Sequence, residues 1–213
     1  MAQVTTSTPT ATPTATRTPT PSATLTPGVR ILNYTSSRVG SSYRHVIGEI
    51  SNETSNYVTL VKLTINFFNG TQLVETQYTY THLRNIHPHE KTCFGITVQE
   101  PTTWTSYAFE PLSYSTYGYS RPNLPITTAS GNVFGSNYYR VIGQIRNDDS
   151  QPLTSVSALA SMYDSEGRLI ECDYGYVSNG NLGPGQVSSF DILGMPAVPG
   201  DVASYVLQTD GWR

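Results

Sequence analysis

The sequence predicts an all-β protein, two antiparallel β-sandwiches in tandem behind an extended Thr/Pro-rich stalk. Three observations carry that expectation: a low-complexity N-terminus, one stretch of sequence spelled twice, and a hydrophobic period of two with no helical period.

The stalk is assigned to residues 1–28. From Thr5 to Pro27 the chain reads TTSTPTATPTATRTPTPSATLTP. Such a segment buries too little apolar surface to offset its ordering entropy, and its prolines remove backbone donors, so an extended, solvated tether is expected. Its hydroxyls also make it a candidate for O-glycosylation. The first residues lack the apolar core of a signal peptide, and the expectation is a start near a mature end.

The repeat follows. VIGEISN (Val46 to Asn52) superimposes on VIGQIRN (Val141 to Asn147) at a shift of 95 positions, and LVET from Leu73 superimposes on LIEC from Leu169 at a shift of 96. Pro88, Phe94 and Ile96 fall on Pro184, Phe190 and Ile192. Self-similarity at this length means whole tandem domains. We place the first sandwich at 29–113, a Tyr-rich linker at 114–123 and the second sandwich at 124–213.

Within each unit Val61, Leu63, Ile65 and Phe67, then Val156, Ala158, Ala160 and Met162, alternate with polar residues as half-buried strands do. Asn69-Gly70 signals a tight hairpin, and the longer DSEG (Asp164 to Gly167) in the second copy accounts for the extra residue through a Gly-supported bulge. NIHPHEKTCFGI and NLGPGQVSSFDI read as a Pro-containing turn entering a strand.

The pattern VIG-x-I-x-N, then MYDSEGRLI (Met162 to Ile170), then LGPGQVSSFDI (Leu182 to Ile192), resembles FxLYD-type domains. The first copy departs from it at FFNGTQLV and at IHPHEK, where His89 stands in the place of Gly185. The resemblance implies an immunoglobulin-like β-sandwich in each unit and a secreted or surface-attached habit, and it transfers no catalytic residue.

Charged residues make up 13% of the chain and the net charge is −3, which argues against nucleic acid as a partner. No apolar run reaches the roughly 20 residues of a membrane-spanning helix. Neither a nucleophile elbow nor a phosphate-binding glycine loop is present, and Glu75 and Glu171 are repeat equivalents rather than a catalytic pair. We therefore expect no enzyme and no cofactor.

His82, His87 and His89 are weak candidates for a metal site, because His87-Pro88-His89 replaces a plain Gly-Pro-Gly turn. Cys172, in phase with Ile170 and Tyr174, is expected to face inward. Cys93, out of phase with Phe94 and Ile96, is expected to face outward as a free thiol, a candidate for cross-linking a neighbouring subunit. A bridge between the two would need Cα atoms within about 7 Å. Tyr78, Tyr80, Tyr174 and Tyr176 are assigned inward, which leaves the linker residues Tyr114, Tyr117 and Tyr119 as candidate ligand-binding aromatics. Sequons occur at Asn33, Asn52 and Asn69.

The functional expectation is a non-catalytic extracellular structural or adhesion protein, a surface-displayed or filament-forming subunit assembling through sandwich edges. Its partners would be further copies or other surface proteins, with glycans covalent on stalk Thr or bound. The segment Val29, Arg30, Ile31, Leu32, Asn33 and Tyr34 is the candidate assembly strand, supplied to a neighbour's open edge. The alternative is a carbohydrate-binding module using the linker aromatics.

Overall fold

The computed structural model describes residues 28–212, so the expected stalk and the O-glycosylation expected on it lie, but for Gly28, outside the described residues. The described chain is all-β, with one 3-10 turn at Pro199–Asp201. Its N-terminal unit contains β1 (Val29–Val39), β2 (Tyr43–Asn52), β3 (Val58–Asn69), β4 (Gln72–Tyr80), β5 (Asn85–Ile86), β6 (Lys91–Gln99), β7 (Ser106–Phe109) and β8 (Ser113–Ser115). The C-terminal unit contains β9 (Ile126–Phe134), β10 (Tyr138–Arg146), β11 (Leu153–Tyr163), β12 (Leu169–Tyr176), β13 (Asn181–Leu182), β14 (Val187–Gly194) and β15 (Ser204–Trp212).

Each unit has two antiparallel sheets, and the two units share one connectivity. The order β1-β2-β6 recurs as β9-β10-β14. In the facing sheets β3 pairs with β4, β5, β7 and β8, as β11 pairs with β12, β13 and β15. The alternating residues expected to be apolar and inward do fill the cores: Val61, Leu63, Ile65 and Phe67 in one unit, Val156, Ala158, Ala160 and Met162 in the other, all fully buried.

The repeated VIG-x-I-x-N stretch has a packing reason in both copies. A Cβ on Gly48 would lie 2.4 Å from the Asn33 carbonyl oxygen and 2.6 Å from the Phe94 ring; on Gly143 it would lie 2.3 Å from the Thr128 carbonyl oxygen and 2.6 Å from the Phe190 ring. The glycine and the phenylalanine about 46 positions later are therefore one packing device. The terminal asparagine is fully buried in both copies. Asn52 donates its side-chain amide to the carbonyls of Asn56 (2.8 Å), Ile86 (3.1 Å) and His87 (2.9 Å), and Asn147 donates to Gln151 (2.9 Å) and Leu182 (2.7 Å). The amide of Asn52 is thus spent inside the fold, against its reading as a sequon.

Even backbone conformation is duplicated. Positive φ angles occur at Leu60 and Ser155, at Gly70 and Gly167, and at His89 and Gly185. The first hairpin turns through Gly70-Thr71, one residue later than expected, since Asn69 pairs with Gln72 and is still in strand. The second is closed by the Gly167 amide on the Asp164 carbonyl, with Gly167 at φ +73°, as a Gly-supported longer turn requires.

Three expectations are corrected. Tyr78 and Tyr80 pair with Thr64 and Lys62, and Tyr174 and Tyr176 with Leu159 and Ser157, which places all four on the outer sheet faces. They are 60%, 48%, 39% and 55% exposed. The segment Val29 to Tyr34 is already the first half of β1, hydrogen-bonded to β2 within its own chain, and is not a loose strand for donation. The first two residues of the expected linker, Tyr114 and Ser115, belong to the strand Ser113–Ser115 on β3.

The largest departure from two independent beads is a shared core. Leu159, Leu169 and Cys172 of the C-terminal unit belong to the same buried cluster as Ile47, Cys93 and Phe94. Strand β2 is therefore covered on both faces, by β3 on one side and by the β11-β12-β15 sheet on the other, and is buried from Val46 to Asn52 without alternation, while β1 at the sheet edge stays mostly exposed. The four sheets stack in the order β3, β2, β11, β10.

Candidate functional site

The centre of the contact between the units is a disulfide. Cys93 on β6 does face away from its own sandwich, as its phase predicts, but that face is covered. It is bonded to Cys172 on β12, with Cα atoms 5.9 Å apart, and the described residues contain no free cysteine. The expected free, outward thiol at Cys93 is thereby corrected, and Cys172 faces the other unit rather than its own core. The phase was legible; that a second unit covers the outer face was not.

Polar groups surround this bridge, each with a partner from the opposite unit. Glu49, nearly buried, accepts from the Tyr163 hydroxyl (2.9 Å), the Lys91 ammonium (2.7 Å) and the Asn33 amide (2.7 Å). Burial alone would raise the Glu49 carboxyl, but these three donors hold it below its ordinary value. Burial, and then the hydrogen bond to Glu49, push the Tyr163 hydroxyl up to about 12. Gln208 donates to Glu90 (2.8 Å), and the Arg84 amide donates to Asp210 (2.7 Å) while the Arg84 guanidinium lies over the Trp212 ring. These contacts favour one relative orientation, because Glu49, Glu90 and Asp210 each lose a hydrogen-bond donor if the units part.

Beside the disulfide lies a groove of about 320 Å³, lined by His45, His82, Glu171, Asp173 and Met195 among others. His45 is 3.2 Å from the Glu171 carboxylate, which also accepts the Cys172 amide. Burial pushes Asp173 up to about 6, opposed by the Tyr174 amide and helped by the Glu171 charge. Burial brings His82 down to about 4, and its ring lies 4.3 Å from that of Tyr174. His45 is held between Thr97 (2.9 Å) and Glu171 (3.2 Å), and the Asp173 carboxylate accepts the Tyr174 amide (2.8 Å).

The metal candidates are not brought together. His82 lies against Tyr174 across the unit boundary, His87 packs edge-on to Tyr57, and His89 is an exposed turn residue at φ +59°. No group of three His, Cys, Asp or Glu side chains among the described residues has the geometry to hold a metal ion. Of the linker aromatics, Tyr114 packs on the shared core, while Tyr117 is 88% exposed and Tyr119 is exposed beside it.

The aromatics missed by sequence reasoning are the outer-face tyrosines. Tyr78 and Tyr80 meet edge to face, as do Tyr174 and Tyr176, and His82, two residues beyond Tyr80, lies on Tyr174. Lys62 Nζ lies over the Tyr78 ring. What turns them outward is a one-residue register shift near the start of both β4 and β12.

Comparison with known proteins leaves the surfaces to speak for themselves. No protein-family model matches the sequence, and no curated protein matches it. Among solved structures, the chain is similar to red sea bream transglutaminase (12% identity, TM-score 0.29, 88% of this chain and 29% of that one). It is likewise similar to the Amycolatopsis orientalis exo-chitosanase CsxA (12% identity, TM-score 0.29, 79% of this chain and 24% of that one). The chain spans less than a third of either protein.

Proposed function

We propose that this chain is a non-catalytic extracellular structural or adhesion protein, surface-displayed or filament-forming, built from two immunoglobulin-like sandwiches of the FxLYD type. The observation that carries the reading is the Cys93–Cys172 bridge buried between the units. Such bridges form and persist in oxidising, extracytoplasmic surroundings. Here the bridge welds two sandwiches into one stiff bar rather than stapling a single small core. A stiff bar behind a Thr/Pro stalk holds its outer faces away from the surface that carries it. The outer edge of β1 is unpaired among the described strands and offers backbone groups for lateral contact. Electron microscopy of material purified from its source tests the reading: filaments or a surface layer are expected, and isolated short particles at every concentration would count against it.

A second reading, carbohydrate binding, is favoured by the exposed Tyr78, Tyr80, Tyr174 and Tyr176 around His82, which offer aromatic faces with hydroxyls alongside. Polysaccharide in an affinity gel should then retard the protein. Tyr78→Ala with Tyr80→Ala should abolish the retardation, as Tyr117→Ala with Tyr119→Ala would if the linker were the site.

A further inference from the structure

The contact between the two units joins two different faces: the outer face of β2-β6 in the N-terminal unit and the outer face of β11-β12-β15 in the C-terminal unit. Because the units are duplicates, each face has a twin. The twin of the first is the outer face of β10-β14, and the twin of the second is the outer face of β3-β4-β7. Both twins are uncovered, and they lie at opposite ends of the four-sheet stack.

We propose that the uncovered β3-β4-β7 face of one copy docks on the uncovered β10-β14 face of a second copy, repeating the intrachain contact and building open head-to-tail arrays. The inference rests on the structural reading above and names the faces that would carry it. A contact between unlike faces that does not close on itself propagates.

What singles out a second copy as the occupant is that the paired residues have changed together. The bonded Cys93 and Cys172 correspond to Ser189 and Thr76, two hydroxyls. The hydrogen-bond contact of His45 with Glu171 corresponds to Arg140 with Glu75. Tyr163, which meets charged Glu49 and Lys91, corresponds to Phe68, and its two counterparts are uncharged Gln144 and Val187. Gln208 donating to Glu90 corresponds to Glu110 facing Gln186, the same pair with the roles exchanged. The strand registers support these equivalences, since Ala160 pairs with Leu207 as Ile65 pairs with Phe109. The apolar contacts persist: Ile47 and Leu169 correspond to Ile142 and Leu73, both exposed. Complementarity kept through paired replacement is what an interface between these faces requires.

One substitution opposes close approach. Asp191 stands where Gly95 is, and a Cβ on Gly95 would lie 3.1 Å from the Cys172 carbonyl oxygen. The contact between copies must open by a few tenths of an ångström, while the Asp191 carboxylate is drawn aside by Arg140 (2.6 and 2.9 Å). The contact between copies is therefore looser than the intrachain one and, with no cysteines, reversible.

Cysteines placed at the twin positions test the proposal directly. Thr76→Cys and Ser189→Cys are made as separate variants of the full chain, mixed under mild oxidation and run without reductant. The mixture should give a disulfide-linked dimer about tenfold more abundant than either variant gives alone, because the repeated contact brings the two positions within bonding reach. Peptide mapping should show the bond between positions 76 and 189. Equal dimer in the mixture and in either variant alone, or no dimer in any, would overturn the proposal. Filaments in native material without the mixed dimer would overturn the face pairing and leave the structural role standing. A mixed dimer alongside isolated native particles would support the face pairing and count against the filament.

Discussion

Cys93 and Cys172 are bonded across the two units, 79 positions apart in the chain with their Cα atoms 5.9 Å apart. Closing a loop of that length removes conformational freedom from the unfolded chain and is worth about 4 kcal/mol in the loop-entropy account. Cys93→Ser with Cys172→Ser should lower the unfolding free energy by that order, read from the shift of the urea midpoint. It should also make amides of β6 and β12 exchange faster than those of β10. Unchanged protection at β6 and β12 would mean that the polar contacts alone hold the units together.

His89 sits at φ +59°, where its twin Gly185 sits at φ +73°. A side chain with a Cβ pays roughly 1–2 kcal/mol in that conformation. His89→Gly is expected to stabilise the protein by about 0.5–1 kcal/mol, after allowing for the greater freedom of glycine when unfolded. Calorimetry checks this, and a lowered melting temperature would show that the imidazole makes a contact of value.

Asn52→Ala leaves the carbonyls of Asn56, Ile86 and His87 without their donor in a buried site. The expected cost is about 2–3 kcal/mol. The effect should be matched by Asn147→Ala in the other unit, so equilibrium unfolding of the two variants compares the twin turns. A neutral outcome in either copy would break the equivalence.

His82 and Asp173 oppose each other in their pH dependence. His82 titrates at about 4 when folded against 6.5 when free, so between those values the unfolded chain binds more protons and stability falls as the pH drops. Asp173 titrates at about 6 when folded against 3.8 when free, so there the folded chain binds more protons and stability rises as the pH drops. Between about pH 4 and 6 the two nearly cancel. Asp173→Asn should unmask the histidine, adding a loss of about 2 kcal/mol between pH 7 and 4 relative to the parent. Denaturant titrations at four pH values check it, and parallel curves for variant and parent would show that burial does not push Asp173 up.

The sequence by itself determined the strands, the twin units and the inward faces of β3 and β11, because each is written in short-range signals. Alternation of Val61, Leu63, Ile65 and Phe67 needs no knowledge of the partner. The Gly48–Phe94 and Gly143–Phe190 contacts announce themselves by recurring. The phase of Cys93 was equally legible. What covers the face it points to was not, since burial by a second unit depends on how two sheets meet and leaves no period in the chain. The tyrosines of β4 and β12 were misplaced for a related reason: a one-residue bulge after the hairpin reverses which face each residue takes, and aromatic character alone points inward. Only the tertiary structure decided that one outer face of each unit is spent on the other while its twin stays free. The physical reason is that a sheet has two faces, and a local pattern can fill one without saying what becomes of the second.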